Sequence, residues 1–298
     1  MAKRPVSLGA ASLGHGTAAR AVRVAAIENR EEDAAAPRPC RAMPQPRDTF
    51  PNAFEAAFMV AFLFVLEFVI GSALYDARSL LGIPVDDLMS LALVLGNGVL
   101  ITTTLQLTQL SYGQLLHPSS QSPQAVMGLL ALPLLCLLPG LYVAMGVVDM
   151  LVVAVFPMST ADVAMFDRMS AHTPITVLMV CVIAPLVEEM LFRGLILRSF
   201  LRQYPRGHAI LGSALLFGAA HLNVYQFAAG TLIGLLLGWL YERTRSLWPC
   251  MALHAAYNLS VTWGDGLQAL SSLQWGLALV LPVFGIVMLG RLLPPPRD

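Results

Sequence analysis

The first thing this chain lacks is charge. Of its 298 residues only 12% are Asp, Glu, Lys or Arg, and the two signs balance at 18 each. A water-soluble globular chain carries about 25% charged residues, so half that density over this length excludes an ordinary soluble protein. The basic residues sit beside apolar runs rather than along one soluble face, so no nucleic-acid partner is expected. Cysteine is scarce as well. Cys40, Cys136, Cys181 and Cys250 are scattered, one near the start and three within apolar runs. They form neither a disulfide framework nor a zinc set, and read as small apolar residues. A His-Glu-x-x-His pair is also missing, which removes the helix-borne zinc motif of many metallopeptidases.

What is abundant is apolar side chain, at 57% with a mean hydropathy of +0.69. At about 20 residues per crossing, the runs near 54–75, 88–108, 125–147, 175–197, 209–222, 227–243, 247–263 and 272–292 each read as a helix. The expected fold is all-α, a polytopic transmembrane helix bundle of about eight spans over 53–298. The Ala-, Arg- and Pro-rich residues 1–52 read as a disordered N-terminal tail. The fifth and seventh helices are short, and the third carries Leu138-Pro139-Gly140, an expected kink. With both termini cytoplasmic, 15 basic residues fall inside and only Arg78 and Arg168 outside, leaving Arg193 within a helix. The positive-inside rule favours that topology. The expectation is an integral protein of the plasma (inner) membrane, with lipid as its permanent partner.

Against this background a few polar residues stand out. The fourth run reads Ile183-Ala184-Pro185-Leu186-Val187-Glu188-Glu189-Met190-Leu191-Phe192-Arg193. Ionisable side chains at a helix centre cost about 2.5–3.5 kcal/mol each on insertion scales, so packing alone does not account for three of them. Glu189 and Arg193 stand four residues apart, acid first, the favourable order for an intrahelical ion pair. Glu188 is turned about 100° away and is free to face something else. The fifth run ends Phe217-Gly218-Ala219-Ala220-His221, and the seventh contains His254-Ala255-Ala256-Tyr257-Asn258, with its imidazole and amide on one face. Depth joins these signals. Glu188 is ten residues from Arg198, His254 nine from Arg245 and His221 thirteen from His208, or about 15, 14 and 20 Å of helix. Three helices thus put a carboxylate and two imidazoles at a similar level. The remaining intramembrane acids, Glu67 and Asp149, read as bundle hydrogen-bonding groups. Gly230, Gly234 and Gly238 read as a helix-packing stripe.

Glu188-Glu189-x-x-x-Arg193, Phe217-x-x-x-His221 and His254-x-x-x-Asn258, in this order on successive membrane segments, resemble the three motifs of the CPBP family, the CAAX-processing and bacteriocin-processing (Abi) intramembrane endopeptidases. The likeness covers about 175–262, roughly a third of the chain. It implies that Glu188 activates water, that His221, His254 and Asn258 complete the site, and that Glu189 and Arg193 fix its shape.

The residues themselves allow that chemistry. Peptide hydrolysis needs an activated water, a donor for the developing oxyanion and a proton for the leaving amine. Glu188 fits the base, the imidazoles orient the water, and the Asn258 amide is an oxyanion donor. Two His and a Glu are also the ligand set of many catalytic zinc sites, so one Zn2+ held by Glu188, His221 and His254 stands beside a metal-free mechanism. The expected substrate is a membrane-associated peptide or protein, cut near its C-terminus or beside a membrane segment, as in CAAX-type or leader processing. The alternative is a non-catalytic membrane scaffold or bacteriocin-immunity factor on the same fold.

Overall fold

A computed structural model describes residues 49–82, 84–170 and 172–293 of the chain. The expected tail therefore lies outside the described residues except for 49–52, and these last four run into the first helix. Asn52 caps it reciprocally: its Oδ1 accepts from the Glu55 N–H at 3.0 Å while its own N–H donates to Glu55 at 2.7 Å, a capping box.

Among the described residues every element is helical. Helix α1 spans Ala53–Leu81, α2 Leu88–Thr108, the short α3 Tyr112–Leu116, α4 Pro123–Val155 and the short α5 Thr160–Met169. Helix α6 spans Pro174–Gln203, α7 Arg206–Ala219, α8 Val224–Thr244, α9 Leu247–Trp263 and α10 Ser272–Leu292. All eight expected long helices are present. Helix α4 continues through Pro133 and Pro139 to Val155 as one element.

Six of the eight, α1, α2, α4, α6, α8 and α10, are long and apolar enough to cross a membrane. Their outer faces carry large exposed apolar side chains, among them Phe54, Phe68, Leu80, Met89 and Leu279. In water such a sheath would be an aggregation surface, whereas in a bilayer it is the solvent contact. The chain is an integral membrane protein. Helices α7 and α9 have 14 and 17 residues and rise about 21 and 26 Å, less than the roughly 30 Å hydrocarbon core. His221 stands two residues past the end of α7.

Helix α8 lies against α7 along the glycine stripe. A Cβ on Gly230 would stand 3.3 Å from the Gly218 Cα, and one on Gly234 3.1 Å from the Ala214 Cα. Small residues on both partners let the backbones approach, which is how helices associate where the surrounding lipid offers no hydrophobic drive. Helices α8, α9 and α10 all contact α4, and α1 pairs with α2.

Helix α6 is not a uniform α-helix. It carries π-helical stretches at Met179–Ile183 and Met190–Leu197, with α-helical Ala184–Glu189 between them. A π turn fits an extra residue and displaces its carbonyls from the usual ladder, so these need outside donors. Asn258 on α9 donates to the Val180 carbonyl at 2.8 Å, and Ser213 on α7 donates to that of Phe192 at 2.9 Å. Both stretches are thereby tied to α9, which carries His254, and to α7, which leads into His221.

Candidate active site

Glu188 and Glu189 end the α-helical segment between the two π stretches, and successive residues on a helix face different ways. Glu189 turns inward and is fully buried. Its Oε1 accepts from the Arg193 guanidinium at 2.9 Å, the expected i, i+4 ion pair. The same oxygen lies 2.9 Å from Nδ1 of His254. Arg193 is also fully buried. Its second nitrogen donates to the Gly234 carbonyl at 3.2 Å, and its carbon lies 4.5 Å over the Phe217 ring centroid. A guanidinium placed this way gains a charge-assisted bond, a backbone bond and a cation–π contact against the loss of water, while its Nε and the second Glu189 oxygen have no hydrogen-bond partner.

A carboxylate only accepts, so Nδ1 of His254 carries the proton in this contact and Nε2 is the free ring nitrogen. That Nε2 faces Glu188, 3.8 Å from its carboxylate. The Glu188 side chain is 23% exposed, the least buried member of the group. Glu189 therefore positions the imidazole from behind and Glu188 meets it in front. This is the arrangement of a reacting group, a partner and a third residue that orients the partner.

His221 joins through Phe217. Its Nδ1 donates to the Phe217 carbonyl at 3.0 Å, one helical turn earlier, which again leaves Nε2 free. The Phe217 ring is perpendicular to both imidazoles, with centroids 5.1 Å from His221 and 5.7 Å from His254. Such edge-to-face contacts lock ring orientation. One buried phenyl ring is thus a common wall for both histidines and for Arg193.

The site residues named from the sequence separate into two groups. Glu188, Glu189, Arg193 and His254 make direct contacts, and His221 reaches them through Phe217. The Asn258 amide spends one N–H outside this set, on the Val180 carbonyl. Its second N–H remains for other use, since a primary amide has two. The three groups considered for Zn2+, Glu188, His221 and His254, do not form a metal-holding cluster. Among the described residues no three His, Cys, Asp or Glu side chains do.

Some contributions were not read from the sequence. The roles of Phe217 and of the Gly234 and Val180 carbonyls depend on tertiary geometry. Glu67 on α1, read as a bundle hydrogen-bonding group, accepts from Asn97 Nδ2 on α2 at 3.1 Å. Asn97 itself is buried. An amide beside a glycine in the middle of an apolar run was the available signal.

The comparisons with known proteins fall on the same segment. Residues 170–260 match the family model of the type II CAAX prenyl endopeptidase, Rce1-like. A Bacillus subtilis (strain 168) protein named "Putative membrane peptidase YdiL" is 26% identical over 98 residues, which are 33% of this chain and 40% of that protein. The chain therefore spans about two fifths of the length of the curated relative it matches. No solved structure matches. The matched segment contains both acids, Arg193, both imidazoles and Asn258, and over that segment the two matches support a likeness to the CPBP-family peptidases.

Proposed function

We propose that the chain is an intramembrane endopeptidase, hydrolysing a peptide bond in a membrane-associated protein or peptide of the CAAX or leader-processing kind. The observation that carries this reading is His254, held at Nδ1 by Glu189 at 2.9 Å and facing Glu188 with Nε2 at 3.8 Å. A buried structural ion pair has no need of a second, partly exposed carboxylate in front of the imidazole. The scaffold alternative uses only the Glu189–Arg193 pair and leaves Glu188 without a role.

The steps follow from the side chains. A water between Glu188 and the free Nε2 atoms donates one hydrogen to the carboxylate and another to an imidazole, which orients its oxygen. Glu188 removes the first proton as that oxygen attacks the scissile carbonyl. The second Asn258 N–H donates to the resulting oxyanion. Glu188 then returns the proton to the nitrogen of the breaking C–N bond, giving a carboxylic acid and an amine. Glu189 and Arg193 touch no reacting atom and act by holding His254.

No step is routed through a metal; what supports this choice is that no three His, Cys, Asp or Glu side chains among the described residues are grouped to hold one. The expected result is that purified protein keeps its cleavage rate after exhaustive chelation. Loss of activity on chelation, with recovery on one equivalent of Zn2+, would overturn this part of the mechanism. The reading as a whole is tested by comparing the termini of membrane peptides in cells carrying the wild type or Glu188→Gln. A defined set of new C-termini present only with the wild type supports it, and identical sets contradict it. The proposed placement is the plasma membrane with both termini cytoplasmic, supported by the distribution of basic residues.

A further inference from the structure

Three described residues other than glycine have a left-handed backbone: Gln109 at φ 58, Arg245 at φ 49 and Leu222 at φ 56. Gln109 and Arg245 are the C-caps of α2 and α8, where this conformation closes a helix. Leu222 lies two residues beyond the cap of α7, Ala220. The left-handed region costs an L-residue about 1–2 kcal/mol, and glycine or asparagine is the usual occupant.

The backbone around it is pinned. His221 N–H donates to the Gly218 carbonyl at 3.2 Å and Leu222 N–H to that of Ala219 at 3.1 Å. Asn223 Nδ2 donates to the His221 carbonyl at 3.1 Å, and Asn223 Oδ1 accepts from the Gln226 N–H at 2.8 Å, starting α8. The side chain thus displayed gives nothing to the core, since Leu222 is 76% exposed. It is also the residue immediately after His221, whose ring is fixed on Phe217. An unfavourable conformation kept at a residue that does not pack, beside a site imidazole, marks function rather than folding.

We propose that Leu222 is a specificity residue of the site, meeting an apolar side chain of the substrate next to the scissile bond; this rests on the endopeptidase reading. Leucine presents only a dispersion surface, so the recognised group is aliphatic or aromatic and not charged.

The test uses purified full-length protein in liposomes and two membrane-anchored peptides that differ only in Leu or Ser beside the mapped cleavage position. Leu222→Gly and Leu222→Asn relieve the backbone and are expected to melt no lower than the wild type. Their kcat/KM on the Leu peptide is expected to fall about tenfold or more, chiefly through KM, since each missing methylene in an apolar contact is worth about 10–200-fold. The preference for Leu over Ser falls with it, and Leu222→Met restores most of it. A merely structural residue would move stability and activity together. If all the variants keep the wild-type kcat/KM and preference, the side chain faces acyl chains only and the proposal is wrong. A Glu188→Gln control that cleaves at the wild-type rate locates the failure in the endopeptidase reading itself, and the proposal falls with it.

Discussion

Glu188→Gln protein inserts, folds and melts like the wild type, and its cleavage rate falls by about 10²–10⁴-fold, the usual contribution of a general base. The substitution keeps the shape and size of the side chain and removes only its ability to take a proton. Stability is expected to stay within about 0.5 kcal/mol, because the residue is partly exposed and makes one long contact, at 3.8 Å to His254. Glu189 is the sharp comparison. It is the neighbouring residue with the same chemistry, but it is fully buried and bonded to both Arg193 and His254. Glu189→Gln therefore damages folding as well as cleavage. A purified Glu188→Gln protein with full activity would contradict the proposed mechanism, and the assay is a peptide-cleavage rate beside a thermal melt.

The second large effect is on stability. Arg193→Ala removes the guanidinium from a site with no water access, leaving the Glu189 carboxylate with His254 as its remaining partner and the Gly234 carbonyl without its side-chain donor. Breaking one side of a buried pair costs about 3–5 kcal/mol, because the cost falls on the charge left behind. At about 2–4 °C per kcal/mol for a chain of this size, the melting temperature in detergent drops by about 10 °C. Arg193→Lys recovers part of this, since an ammonium can meet the carboxylate but lacks the flat fork that also reaches Gly234 and stacks on Phe217. Combining Arg193→Ala with Glu189→Gln removes the stranded charge, so the double variant is expected to melt above Arg193→Ala while remaining impaired in cleavage. If Arg193→Ala melts with the wild type, the buried pair is not what holds the site.

Hydropathy made the helices legible because bilayer crossing demands long apolar runs whatever the tertiary contacts. Their ends were less so. Helix α1 continues past 75 to Leu81 and stops at Gly82, whose φ is 67; the polar Asp76 and Arg78 end the apolar signal without ending the helix. Helix α6 likewise runs on to Gln203 through Arg198 and Arg202. In the site, the Glu189–Arg193 pair was legible from i, i+4 spacing alone. Depth put Glu188 and His254 at a similar level, and the structure sets them 3.8 Å apart. Asn258 was read as an oxyanion donor, but it spends one N–H on Val180 because α6 is π-helical there, and nothing in the composition of Met179–Ile183 announces that turn. His117 Nδ1 lies 2.8 Å from Ser246 Oγ and His172 Nε2 lies 2.9 Å from the Thr262 carbonyl. Contacts across 129 and 90 residues leave no local pattern to read.

The central claim is that two imidazoles from separate helices act on one water in a single pocket. The double-mutant cycle between His221 and His254, read as kcat/KM with folding checked by melting, tests it most directly. Groups that work as a unit are strongly non-additive, so the combined His221→Ala and His254→Ala variant is expected to be no worse than the more damaged single variant. Losses that multiply would mean the two histidines act independently, and the shared pocket would be wrong.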